Sequence, residues 1–176
     1  FRSGHEGMER DDPDFFAAYI MNEILGGSGR QSILMEEVRE KRGLTYGVAS
    51  FLVPKQHAEL YLGSVASAND RVAEAIEVIR AEWARMAEEG VTAEQLAEAK
   101  TYLTGAYPLR FDGNGQIAEI LVGMQFNDLA ADYIATRNDR INAVTLEEIN
   151  RVAAELLQPE ALHFVVVGQP AGLTDS

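Results

Sequence analysis

The feature that most limits the fold is a change of hydrophobic period in the first third of the chain. Up to about residue 41, apolar residues recur three or four positions apart, as on the buried face of an α-helix. Residues 45–53 (TYGVASFLV) and 58–66 (AELYLGSVA) are instead rich in β-branched and aromatic residues, and a short turn that begins at Pro54 separates them. The pattern predicts a β-hairpin placed between helices.

Two helices are predicted before the hairpin. The first begins with Asp12 as its N-cap and Pro13 at its first helical position, and it ends in the glycine-rich run 26–29. The second covers about 32–41. After the hairpin we expect helices at 69–89, 115–126 and 131–140, two more that open with capping boxes at Thr92 and Thr145, and a closing strand at 163–168.

This order of elements predicts an α+β fold. Strands and helices do not alternate strictly, which disfavours a parallel sheet, so we expect a mainly antiparallel sheet covered by several helices. Three strands would make a thin sheet for this many helices, and a further strand is therefore expected to lead into residues 1–4 and to be cut short at the start of the sequence. With 176 residues, 47% of them hydrophobic, the chain is long enough for a single domain spanning 1–176.

Composition excludes several partners and sites. No apolar run approaches the roughly 20 residues that a membrane-spanning helix needs, so no membrane span is expected. A net charge of −13 argues against nucleic-acid binding, which requires a basic surface. The chain contains no cysteine, which excludes disulfides and thiolate metal sites.

The three histidines do not form a zinc-binding motif. A helical zinc site needs two histidines close together on one face, whereas His5, His57 and His163 are far apart in the sequence. We expect His5 in a surface loop and the other two in structural positions, beside the hairpin turn and the last strand. Three distant histidines could still converge in space, but nothing in the sequence favours this, so the sequence predicts no metal site within this chain.

Two other motifs are incomplete. The glycine-rich segment 26–32 follows a predicted helix and lacks the Gly-Lys-Ser/Thr of a phosphate-binding loop, so we interpret it as a helix end and connector. No G-x-S-x-G nucleophile motif occurs in the chain. A serine–histidine–aspartate arrangement assembled from distant positions stays open on the sequence alone.

Arg39 and Tyr46 lie seven residues apart across the predicted helix-to-strand turn. This spacing lets both side chains reach one place, where a guanidinium and a phenol O–H could hold a carbonyl group or an oxyanion. The residues alone favour a structural interpretation, with Arg39 as a surface helix charge and Tyr46 as an aromatic residue on the sheet face.

A longer stretch of sequence resembles a known family. DPDFF at 12–16, NEILGG at 22–27 and VREKRGLTYGVAS at 38–50 are similar to the C-terminal domains of the pitrilysin, insulin-degrading enzyme and mitochondrial processing peptidase superfamily. The resemblance implies a zinc metalloendopeptidase whose subunits contain two similar domains. In that arrangement the first domain binds zinc, and the second has lost the metal site and meets the peptide substrate from the opposite side.

Carried over by position, the resemblance implies roles for particular residues. Arg39 and Tyr46 become the catalytic pair that binds the peptide and stabilises the tetrahedral intermediate, and Gly26, Gly27 and Gly29 become substrate-binding. Zinc is then the cofactor of the intact peptidase, bound by another domain of the same chain or by a partner subunit, with none in this chain. The isolated chain is expected to be inactive, and the subunits are expected to form a dimer.

Two alternatives are open. The chain could belong to a catalytically silent structural subunit of the same fold, or it could be a module that binds peptides without cleaving them. Because the sequence begins at Phe1, we expect it to be the C-terminal, substrate-clamping domain of a longer subunit. The compartment is not determined by the sequence, although the bacterial character of the motif favours a periplasmic over a cytoplasmic location.

Overall fold

The computed structural model describes residues 1–27, 32–55 and 57–173. The strands are β1 (Arg2–Glu6), β2 (Gly47–Val53), β3 (Leu60–Ala66) and β4 (His163–Val165). The α-helices are α1 (Phe15–Gly26), α2 (Val72–Glu89), α3 (Ala93–Ala106), α4 (Asn114–Phe126), α5 (Tyr133–Ala143) and α6 (Leu146–Leu156). A π-helix covers Met35–Glu40, and short 3-10 helices cover Pro108–Phe111 and Pro159–Ala161.

The four strands form one antiparallel sheet in the order β2-β3-β1-β4, so the predicted α+β class is confirmed. The predicted hairpin is the pair β2 and β3, in which Gly47 lies opposite Ala66. The strand expected to lead into residues 1–4 is β1, which continues to Glu6 and lies inside the sheet between β3 and β4. The closing strand is shorter than predicted, because pairing with β1 stops at Val165.

One face of the sheet is covered by helices. Alternate residues of β1 and β3, among them Ser3, Tyr61 and Val65, are buried on this face. Helix α1 packs against β2 and α6, and α2 packs against α6. The fully buried side chains of this layer, which include Ile20 and Ile79, form a continuous apolar core.

The start of α1 differs from the prediction. Asp14 is the N-cap, rather than Asp12. The Asp12 carboxylate accepts the Asp14 N–H at 2.7 Å, which forms a turn just before the helix. The Asp14 carboxylate does not cap its own helix, because it accepts hydrogen bonds from Arg151 of α6 at 2.6 and 2.9 Å. This ion pair lowers the pKa of Asp14.

The other helix signals are mostly confirmed. Both capping boxes, at Thr92 and Thr145, are formed. Gly90 ends α2 with a φ of 70°, in the left-handed region that favours glycine. Helix α2 begins at Val72, three residues later than the predicted 69.

His5 is not a surface-loop residue, so that prediction is wrong. It lies on β1 and is buried on the helix-facing side, where its ring meets Tyr61 and Trp83 edge-on. The Trp83 indole N–H donates to His5 Nε2 at 3.0 Å, and His5 Nδ1–H donates to the Glu6 carbonyl at 2.6 Å. Both ring nitrogens are therefore used by the neutral imidazole, which joins the sheet to α2.

Folding stability should depend on the protonation of His5. Burial lowers the pKa of His5 below its usual 6.5, since it disfavours the charged ring. The unfolded chain then binds more protons than the folded one below about pH 6.5, so the free energy of unfolding should fall from there toward pH 5. Urea titrations at about pH 7.5, 6.5 and 5.5 should show this decline in the wild type and in His57→Gln, and a smaller one in His5→Phe. An equal decline of the free energy of unfolding in all three proteins would show that His5 is not responsible for the pH dependence.

Candidate functional site

Arg39 lies near the end of the π-helix Met35–Glu40. A π-helix has hydrogen bonds between residues five positions apart, and here the Lys41 N–H donates to the Glu36 carbonyl at 2.9 Å. Val38, the neighbour of Arg39, is fully buried, whereas the Arg39 side chain is 41% exposed. The predicted helix is therefore present, and its wider turn leaves Arg39 at the protein surface.

Of the three cationic side chains in this segment, Arg39 makes the weakest contacts. Lys41 and Arg42 both donate to the Glu37 carboxylate, at 2.6 and 2.7 Å, and these bonds lower the pKa of Glu37. Arg39 has only a 3.6 Å contact with the exposed Glu40 among the described residues. Its guanidinium donors are consequently available to another molecule.

The turn after the π-helix is held by backbone and side-chain hydrogen bonds. Gly43 adopts a φ of 61°, and its N–H donates to the Arg39 carbonyl at 2.8 Å. The Ser67 hydroxyl donates to the Leu44 carbonyl at 2.6 Å. The buried Thr45 hydroxyl donates to the Ala66 carbonyl at the end of β3. The chain just before Tyr46 is thereby attached to the end of β3.

Tyr46 projects into solvent directly before β2. Its side chain is 93% exposed, so the alternative in which it packs on the sheet face is wrong. A tyrosine ring exposed to this extent adds no buried apolar surface to the core. Together with Arg39, it gives the ordered turn two side chains that can donate hydrogen bonds outward.

Two of the three glycines predicted to bind substrate can be placed. Gly26 and Gly27 end α1, and both are buried. A methyl group on Gly26 would lie 2.9 Å from the backbone nitrogen of Ser50, so glycine is needed there for α1 to approach β2. Gly29 lies outside the described residues. The substrate-binding role of the three stays a prediction.

Sequence reasoning missed the polar groups that hold this region together. The Ser50 hydroxyl donates to Asn22 Oδ1 at 2.8 Å, in a buried bond that joins α1 to the middle of β2. Thr45 and Ser67, which brace the turn, were also missed. Hydroxyl side chains of this kind are common in strands and turns, and no spacing distinguishes the ones that pair across elements.

The histidines do not come together. His5 is buried on β1, His57 is exposed in the hairpin turn, and His163 is exposed at the start of β4. In the part of the chain that the structure describes, no group of three or more His, Cys, Asp or Glu side chains could hold a metal ion. The described residues therefore do not fit a zinc site.

The sequence also matches a family model. The match covers residues 4–103, more than half of the chain, and the family is described as the peptidase M16 inactive domain. The chain belongs to this family. The family match includes the turn that carries Arg39 and Tyr46, and the recognition made from the sequence is confirmed.

Relatives and solved structures agree with this peptidase M16 assignment. An uncharacterized zinc protease of Streptomyces coelicolor is 30% identical over 160 residues, covering 88% of this chain and 33% of the relative. A Helicobacter pylori protein named as a non-peptidase homolog is 27% identical over 157 residues, covering 88% and 35%. The crystal structure of a peptidase M16 inactive domain from Pseudomonas fluorescens superimposes with a TM-score of 0.81 at 30% identity, covering 92% of this chain and 38% of that one.

The chain spans about a third of the length of the curated relatives it matches. An M16 inactive domain is thus similar to one part of larger proteins, some of which are called zinc proteases. Across the described ranges, no helix has both the length and the apolar character that crossing a bilayer requires.

Proposed function

We propose that this M16 inactive domain is the non-zinc half of a zinc metalloendopeptidase and binds extended peptide substrate through Arg39 and Tyr46. The zinc site belongs to another domain of the same polypeptide or to a partner subunit. The observation that carries the proposal is the 93% exposure of Tyr46 on a turn that is otherwise firmly held. An ordered and exposed aromatic phenol is typical of a recognition surface.

The chemistry of the pair suits a peptide backbone during cleavage. The Arg39 guanidinium presents N–H donors in a planar fork, and its only charged neighbour among the described residues is 3.6 Å away. The Tyr46 hydroxyl adds a neutral donor. Donors that are already in position stabilise a developing oxyanion, or hold the flanking carbonyl groups, without the cost of reorganising at the moment of reaction.

A catalytically silent relative is the second candidate. It is supported by the resemblance to the Helicobacter pylori protein, whose name describes it as a non-peptidase homolog. In that case the same turn would bind peptides or contact a partner without any cleavage. Arg39 and Tyr46 are compatible with both candidates, because binding and catalysis use the same hydrogen-bond donors.

The two candidates are separated by an assay on the intact polypeptide together with whichever chain carries the zinc site. For the peptidase, an unstructured peptide should be cleaved, a chelator should abolish cleavage, and added zinc should restore it. The chelator should leave the unfolding curve of the 176-residue chain unchanged, because its described residues offer no metal site. Peptide binding without cleavage, with and without zinc, would favour the silent relative.

A further inference from the structure

A cleft of about 690 Å³ lies on the helical side of the molecule, between α1, α4, α5 and the 3-10 helix Pro108–Phe111. Neither Arg39 nor Tyr46 lines it, so it is separate from the candidate site. Its walls combine polar and charged side chains with aromatic and apolar ones, and the latter include Phe16, Tyr19, Tyr107, Met124 and Tyr133. A space of this size can hold a small molecule or a few residues of a peptide.

A buried arginine lines this cleft. Arg137 of α5 is only 4% exposed, and its guanidinium carbon lies 4.1 Å from the centre of the Tyr107 ring. No carboxylate among the described residues forms an ion pair with it. Arginine cannot lose its proton, and a buried charge without a counter-ion is costly, so the site as it stands favours an incoming anion.

Arg137 also has hydrogen-bonding capacity left. Nη1 donates to the Asn138 amide oxygen at 3.0 Å and to the Leu103 carbonyl at 3.3 Å, and Nη2 donates to the Tyr19 hydroxyl at 3.4 Å. Two of these three bonds are near the upper limit of length. Among the described residues, Nε–H and the second Nη2–H have no acceptor. The acceptors it does have are all uncharged.

The side chains that line the cleft carry a net positive charge, whereas the whole chain carries a net negative charge. Its charged lining residues are Arg10, Arg110, Arg137 and Glu119. None of the three arginines is in an ion pair within the described ranges, although the whole chain carries a net charge of −13. Arg10 is held in place, since its guanidinium donates to the Tyr133 hydroxyl at 2.6 Å and lies over the Phe15 ring at 4.1 Å.

We propose that this cleft binds a carboxylate ligand with an aromatic or bulky apolar body. The carboxylate pairs with Arg137, and the body packs among the aromatic side chains of the walls. A free aromatic acid and the C-terminal carboxylate of a peptide share this chemistry. The proposal does not rest on the peptidase function, because the cleft and its arginine are independent of Arg39 and Tyr46.

Isothermal titration of the 176-residue chain with matched pairs of probes tests the proposal. N-acetylphenylalanine should bind about tenfold or more tightly than its neutral amide, because only the acid supplies the counter-ion. A short peptide ending in phenylalanine, as the free acid or the amide, is the second pair. Tighter binding of the peptide acid identifies a chain end as the ligand, and equal binding of both acids identifies a small carboxylate. No binding by either acid, or equal binding of acid and amide, would overturn the proposal.

A variant that fills the cleft locates the binding. Gly123 lines the cleft on α4, and a side chain there would point into open space. Gly123→Leu should therefore fold at least as well as the wild type, since it removes a glycine from a helix, and should lose binding about tenfold or more. Gly105→Leu is the matched control, because Gly105 is exposed on α3, has open space and does not line the cleft.

The arginine itself is tested by Arg137→Gln, which should abolish the preference for the acid over the amide. Circular dichroism establishes whether this variant is folded. If Arg137→Gln is unfolded, the binding measured with Gly123→Leu alone tests the proposal. Full binding by Gly123→Leu, or loss of binding in Gly105→Leu as well, would show that the ligand does not occupy the cleft.

Discussion

Replacing Tyr46 by phenylalanine should lower kcat/KM for peptide hydrolysis by the intact peptidase about 10²-fold, with no loss of folding stability. The expected loss is that of one donor to a developing oxyanion. Stability should stay within about 0.5 kcal/mol, because the side chain is 93% exposed and makes no buried contact. The measurements are steady-state kinetics with an unstructured peptide and urea unfolding of the same samples.

Arg39 allows a graded version of the same experiment. Arg39→Ala should also reduce kcat/KM about 10²-fold, and Arg39→Lys should recover only part of the rate, because lysine keeps the charge but loses the planar fork. Its exposed contact with Glu40 contributes little to stability. Tyr102→Phe, at a half-exposed tyrosine on α3, serves as the control and should behave as the wild type. Unchanged rates in both Tyr46→Phe and Arg39→Ala would mean that neither residue takes part in the reaction.

Removing the side chain of Trp83 should cost about 3–5 kcal/mol of folding free energy, a large part of the stability of an ordinary domain. Trp83 is 1% exposed, and its ring centre lies 4.9 Å from that of Tyr61. Its indole N–H is also the donor to His5 Nε2. Trp83→Ala therefore leaves a cavity and a buried acceptor without a partner, and the urea midpoint should fall accordingly.

Two variants separate these contributions. Trp83→Phe keeps much of the volume but removes the donor, so it should lose about 1–3 kcal/mol. Glu88→Ala, on the exposed side of the same helix, should change stability by less than about 0.5 kcal/mol. If Trp83→Ala lost less than about 1 kcal/mol, the contacts between α2 and the sheet would not be a main support of the fold.

Much of the fold could be predicted from the sequence because its signals are local. The capping boxes at Thr92 and Thr145 and the stop at Gly90 depend on a few neighbouring residues, and the structure confirms them. The hairpin followed from strand composition on both sides of a proline turn. The prediction that Asp12 is the N-cap was wrong because Asp12 and Asp14 both lie at the start of α1. The carboxylate of Asp14, the actual N-cap residue, is used in an ion pair with the distant Arg151.

The parts that could not be predicted depend on contacts between distant segments. His5 resembles a loop residue in sequence, since it lies between Gly4 and Gly7, and it is buried only because residues of α2 and β3 pack around it. The π-helical turn before Arg39 has no sequence signature. Nor does the sequence reveal that Arg137, on a mainly polar helix, is buried against Tyr19, Leu103 and Tyr107.

The candidate site also contains features that the sequence predicted and features that only the structure shows. Arg39 and Tyr46 were found through a family resemblance, because their spacing alone favoured a structural interpretation. The structure adds that the turn between them is braced by Thr45 and Ser67, and that Tyr46 is free of the sheet. The bonds from the Thr45 and Ser67 hydroxyls to the Ala66 and Leu44 carbonyls join residues about 20 positions apart, beyond the reach of local pattern analysis.

The position of β1 in the sheet sets the order in which the molecule can assemble. Arg2 pairs with Ser64 on one side and with Val165 on the other, so the same strand closes one loop of about 60 residues and another of about 160. The hairpin and the capped helices need only nearby residues and can form while synthesis continues. Docking of β4 must wait until Val165 has left the ribosome. Until then β1 has an unpaired edge, and this is when the nascent chain is most exposed to aggregation.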